Sequence, residues 1–140
     1  MRLNPHLSFN GQCEAAFKMY EKCLGGKILT MATYGGSPMA SQTPPAWHNL
    51  VAHATLDLGD FRLTGGDAPP EQYQKPQGFS ILLEIGTAAE AERVFDALAQ
   101  AGTVQMPLQG TFWAERFGML ADQFGIPWMI NCGKAASSSA

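Results

Sequence analysis

The sequence predicts an α+β protein built from two βαβββ modules, and three observations carry that prediction. Two apolar stripes at helical spacing, Ala16, Met19, Tyr20, Cys23, Leu24 and Ala91, Val94, Phe95, Leu98, Ala99, align at an offset of about 75 residues. Each is followed by a Gly-x-(Ile/Val) step, Gly26/Ile28 and Gly102/Val104, at an offset of about 76. Each stripe is also preceded by one β-prone run and followed by three, so the chain reads as an internal duplication.

The elements follow in order. Residues 3–9, LNPHLSF, read as a strand, and a helix opens at Asn10 or Gly11 with Glu14 in its first turn. Gly25 and Gly26 end that helix, because glycine tolerates the left-handed cap. KILTMATY is β-prone, and residues 35–45 are a turn-rich loop. Residues 49–59 and 60–66 form a hairpin about Gly59 and Asp60. Module one therefore spans about 1–67, and the Pro-rich stretch 68–77 is a surface linker. Module two, about 78–132, begins with FSILLEI. Its helix opens at Thr87 with Glu90 three residues on, the capping-box arrangement, and Gly102 ends it. TVQMPL, TFWAERFGML and IPWMINC supply its last three strands. The two modules are expected to form one domain over 1–134, and the small, polar residues 135–140 to fray.

Composition narrows the function. The chain has 140 residues, 46% hydrophobic and 15% charged, enough for a real core. Nine basic and 12 acidic residues leave a formal charge of -3, which argues against a nucleic-acid partner. No apolar run approaches the roughly 20 residues of a membrane helix, and the first ten residues do not read as a signal peptide. Three cysteines, Cys13, Cys23 and Cys132, fit neither a disulfide framework nor a zinc module, so a reducing, cytoplasmic setting is expected. Cys23 reads as a small buried hydrophobe, while Cys13 falls where a helix N-terminus lowers a thiol pKa. No Gly-rich phosphate or S-adenosylmethionine loop and no Gly-x-Ser-x-Gly elbow is present.

Several residues stand out as site candidates. His6 and His53 lie on predicted strands, and His48 in a loop. Glu84 shares a strand face with Leu82 and Ser80, whereas Glu90 and Glu92 belong to the solvated side of the second helix. Trp113 and Trp128 read either as packing of the second sheet or as an aromatic wall for a planar or apolar ligand. Trp113 and Arg116, three residues apart, face opposite ways along an undistorted strand; Trp128 and Ile130 share one face, and Met129 takes the other.

The stretches LSFNGQCEAAFKMYEKCLGGKI, HATLDLGDFRLTGGD and MPLQGTFWAERFGMLADQFGIPWMIN resemble the PhnB-like branch of the vicinal oxygen chelate superfamily, which includes glyoxalase I, extradiol dioxygenases and bleomycin-resistance proteins. The Phe-Trp pair, Arg-Phe-Gly and Asp-x-Phe-Gly-x-x-Trp, in that order, are its most specific part, and the resemblance extends to about Cys132. It implies paired βαβββ modules curled around a cleft, a homodimer, and a divalent metal that polarises vicinal oxygens of a substrate. The metal-ligand positions it implies fall on Asn4, Ser80 and Met129 and near Arg62. That set is poor for a hard or borderline cation, which prefers imidazole and carboxylate.

Two functions are therefore expected as alternatives. The first is a cytoplasmic protein that binds a small, partly apolar molecule in the inter-module cleft, with no cofactor and no metal at the usual positions. Its cleft candidates are Asn4, His6, His53, Arg62, Ser80, Glu84, Trp113, Trp128 and Met129. The second is a metal-dependent lyase, isomerase or dioxygenase with a divalent ion moved to His6, His53 and Asp67. A ubiquinone-pathway methyltransferase label, attached to some PhnB-like domains, has no support in these residues.

Overall fold

A computed structural model of the protein describes residues 1–134; the tail at 135–140 lies outside the described residues. The chain forms two compact units, one over Met1–Lys75 and one from Pro76 onward. In the first the order is β1 (His6–Phe9), α1 (Cys13–Leu24), β2 (Lys27–Thr33), β3 (Val51–Asp57) and β4 (Arg62–Asp67). In the second it is β5 (Ile81–Glu84), α2 (Ala88–Ala99), β6 (Thr103–Gln109), β7 (Ala114–Ala121) and β8 (Pro127–Gly133). Each unit holds one mixed four-stranded sheet, β1-β4-β3-β2 or β5-β8-β7-β6, whose first strand pairs in parallel and whose others are antiparallel. Among the described residues no helix is long and apolar enough to cross a membrane.

The duplication read from the sequence is present in the register. Ile28 pairs with Leu56, and Val104 pairs with Leu120 in the equivalent place. The glycine before each strand is required by a close approach: a Cβ on Gly26 would sit 2.5 Å from the Asp57 carbonyl oxygen, and one on Gly102 2.4 Å from that of Ala121. Gly102 thus seats β6 against β7, and the left-handed residue after α2 is Ala101, at φ 58°. At the end of α1 Gly25 does take the left-handed cap, at φ 77°.

One face of each sheet is covered by its helix. α1 buries Cys13, Ala16, Phe17, Tyr20 and Cys23 against Leu7, Phe9, Ala54, Leu56 and Leu63. The expected stripe named Met19 and Leu24; both are only half-buried, and the centre is Phe17, whose ring lies over Gly65. α2 buries Ala91, Val94, Phe95 and Leu98 of its expected stripe, and Ala99 is half-buried. Its cap also follows expectation in part: Thr87 Oγ1 accepts from the Glu90 N–H at 3.2 Å, while the Glu90 carboxylate pairs with Arg93 instead of reaching back.

Two buried carboxylates tie the modules internally. α1 has no side-chain cap of its own; Asp67, at the end of β4, accepts from the Cys13 N–H at 3.0 Å and from the Val51 N–H at 2.8 Å. A carboxylate at a helix N-terminus satisfies an orphan donor and opposes the helix dipole. Asp122, in the β7–β8 turn, accepts from the Phe124 and Ile126 N–H groups at 2.8 and 3.1 Å and from the Trp128 indole at 2.8 Å. Removing either acid strands buried donors, each costing about 1–3 kcal/mol. Chemical denaturation of Asp122→Ala is accordingly expected to show a loss of about 3 kcal/mol or more, with Trp128→Phe losing less.

Candidate functional site

The sheet faces opposite the helices are where side chains remain available. In module one this face collects residues from three strands. His6 Nδ1 lies 2.8 Å from Thr64 Oγ1, and Thr64 is the register partner of both His6 and Thr55. Thr55 Oγ1 meets His53 Nε2 at 3.2 Å, and the His6 and His53 rings stack with centroids 6.4 Å apart. Arg62 belongs to the same face by alternation with Thr64. The Thr64 hydroxyl lies within hydrogen-bond distance of both His6 Nδ1, at 2.8 Å, and the Pro5 carbonyl oxygen, at 3.3 Å. Burial, and then the nearby charge of His53, hold the His6 pKa below its ordinary value.

Module two presents a different chemistry on the corresponding face. Leu82 pairs with Met129, Glu84 with Asn131, Phe117 with Asn131, Met119 with Met129, and Met106 with Met119. Trp113, just before β7, lies edge-on to Phe117 at 5.4 Å and is itself met edge-on by Phe112 at 4.7 Å. Leu82, Phe112 and Trp113 are exposed. Asn131 Oδ1, between Glu84 and Phe117 in the register, is buried, and among the described residues no hydrogen-bond donor reaches it. Reading the sequence alone missed Asn131; its even separation from Met129 was the available signal.

The sequence-derived candidates divide accordingly. His6, His53 and Arg62 share one open face, and Glu84 and Met129 share another, with Trp113 at its edge. Asn4 and Ser80 precede β1 and β5. Trp128 is a correction: it is fully buried on the helix side and anchored to Asp122, so it belongs to the core and not to an aromatic wall. Arg116 reaches Glu92 of α2 at 3.2 Å, on the side away from Trp113. His48 bonds the Ala40 carbonyl at 3.0 Å and so steadies its own loop.

The relocated ion site is also corrected. Asp67 alternates with Leu63 and Gly65, faces α1, and spends both oxygens on backbone donors, so it does not join His6 and His53. Among the described residues no three His, Cys, Asp or Glu side chains gather as an ion-holding group. The set Asn4, Arg62, Ser80 and Met129 offers a cation no carboxylate or imidazole and one fixed positive charge. These residues do not fit a divalent metal. Cys13 reverses its expected shift: burial, then the carboxylates of Asp67 and Glu14, push its thiol up to about 12, outweighing the helix terminus.

The family described as "Glyoxalase/Bleomycin resistance protein/Dioxygenase superfamily" matches residues 2–130. The chain is 35% identical to Protein YjdN of Escherichia coli (strain K12), over 96% of this chain and 97% of that protein. It is 45% identical to protein PA1353 of Pseudomonas aeruginosa, whose crystal structure matches with a TM-score of 0.88 over 95% of this chain and 98% of that one. A Bacillus cereus structure called a putative 3-demethylubiquinone-9 3-methyltransferase, PhnB protein, matches with a TM-score of 0.80 at 24% identity, over 95% of this chain and 100% of that one. At that identity the likeness is one of fold.

Two outcomes follow from these shifts. The neutral His6 ring contributes stability that is complete above about pH 6.5 and is lost as pH falls, because the unfolded chain takes up the proton first. The melting temperature of wild type should therefore fall more steeply between pH 6.5 and 5 than that of His6→Gln. All three thiols are buried, and Cys13 stays protonated at neutral pH. A disulfide reagent at pH 8 should label the native protein at least tenfold more slowly than the protein unfolded in guanidinium chloride.

Proposed function

The chain belongs to the glyoxalase/bleomycin resistance protein/dioxygenase superfamily, and from that premise we propose that it is a PhnB-like member that binds a small, partly apolar molecule without a metal at the superfamily's usual positions. The observation that carries this reading is the buried Asn131 Oδ1, unpartnered among the described residues, on the open face of module two with Leu82, Glu84, Phe117, Met119 and Met129. An orphaned buried acceptor costs roughly 1–3 kcal/mol, a cost that a ligand with one N–H or O–H can offset. Methionine and aromatic side chains around it adapt to the ligand's apolar body. The ligand is thus an apolar or planar molecule with at least one hydrogen-bond donor. Its chemistry would be recognition: no nucleophile–base pair is assembled among the residues of this face. The methyltransferase name of the B. cereus relative is not carried over, since the likeness to that protein is of fold and the chain has no glycine-rich cofactor loop.

Trp113 supplies the reporter. A panel of aromatic amides and phenols is titrated while Trp113 fluorescence is followed, with Trp113→Phe as the control for signal. Saturable binding that weakens about tenfold in Asn131→Leu, together with an unchanged or raised melting temperature in that variant, is the expected result. Equal affinity in wild type and Asn131→Leu would refute the reading.

A further inference from the structure

We propose that the open face of module one is a binding site for a small oxyanion, a carboxylate or a phosphoryl group, anchored by Arg62. This goes beyond the reading of module two and rests on different residues. Arg62 is half-buried, yet among the described residues its guanidinium makes no ion pair and no hydrogen bond. A cation partly removed from water without a partner is costly. Neither of the nearest acids makes an ion pair with it. Asp57 is the register partner of Arg62 and of Lys27, but its Oδ1 accepts from the Gly59 N–H at 3.1 Å in the hairpin turn. Asp67 faces the other side of the sheet and serves the Cys13 and Val51 N–H groups.

On its own face Arg62 has Asp57 opposite it and Lys27 beyond, Thr64 two residues along the strand, Thr55 opposite Thr64, and the stacked rings of His6 and His53 further on. Residues two apart on a strand stand roughly 6.6 Å apart, within reach of an extended arginine. A guanidinium offers five donors in a planar fork that matches two oxygens of a carboxylate or phosphoryl group. The position that the family resemblance gives to a ligand for a cation here carries a fixed positive charge. Lys27 and Arg62 outnumber the one carboxylate on this face, Asp57, so the fixed charge of the face favours an anion over a cation.

The test uses the intact protein with inorganic phosphate and with acetate, each against sodium chloride at matched ionic strength, followed by calorimetric titration and thermal shift. The expected result is a saturable response to at least one probe that falls at least tenfold in Arg62→Met and is partly restored in Arg62→Lys. Preference for phosphate assigns the phosphoryl class, and preference for acetate the carboxylate class. Far-UV circular dichroism of both variants verifies that they fold. A response no larger than that to sodium chloride, or one that Arg62→Met retains, overturns the proposal. Asn131→Leu is carried alongside and should leave anion binding unchanged, so the fate of the module-two reading is decided separately.

Discussion

A single 12-residue helix covers only one face of a four-stranded sheet, and everything else in each module follows from that limit. The covered face is packed to contact. A Cβ on Gly65 would come 2.8 Å from the Phe17 ring, and one on Gly118 2.7 Å from the Phe95 ring, so a glycine under a phenylalanine sets the helix-to-sheet distance in both halves. Close packing of this kind leaves no room for ligand chemistry on the helix side. Function is left to the opposite faces.

The two open faces then diverge on equivalent backbones. Module one places His6, His53, Arg62 and two threonines where module two places Leu82, Phe117, Met119, Met129 and Asn131. One face is polar, with Arg62, two histidines and the carboxylate of Asp57; the other is largely apolar, with one buried acceptor beside the Glu84 carboxylate. Membership of the superfamily accounts for the scaffold. The divergence of the faces lies beyond that scaffold, since fold alone does not carry function.

Buried acids illustrate how easily position in a sequence misleads. Asp67 sits beside two strand glycines and reads as a site residue, yet it serves as the remote cap of α1. Asp122 lies in a short turn and attracts no notice, yet it organises that turn and holds the largest buried side chain, Trp128. Both are structural because each oxygen answers a backbone or indole donor that would otherwise be buried alone.

The sequence by itself determined the element order, the duplication and the side of each strand on which a residue falls. Periods of 3.6 and 2 are local properties, and the Gly26 and Gly102 steps recur at a fixed offset. Alternation alone placed Trp128 with Ile130 and set Met129 opposite them, as the sheet shows. Only the tertiary structure decided which of the two sides the helix covers, and therefore that Trp128 is core and Met129 open. It alone brought His6 to His53 across two intervening register partners, turned Asp67 toward α1, and left Asn131 without a donor. Those outcomes depend on pairings between strands, such as His6 with Thr64 and Glu84 with Asn131, and on a helix-to-strand bond, Cys13 to Asp67, and no local period encodes them.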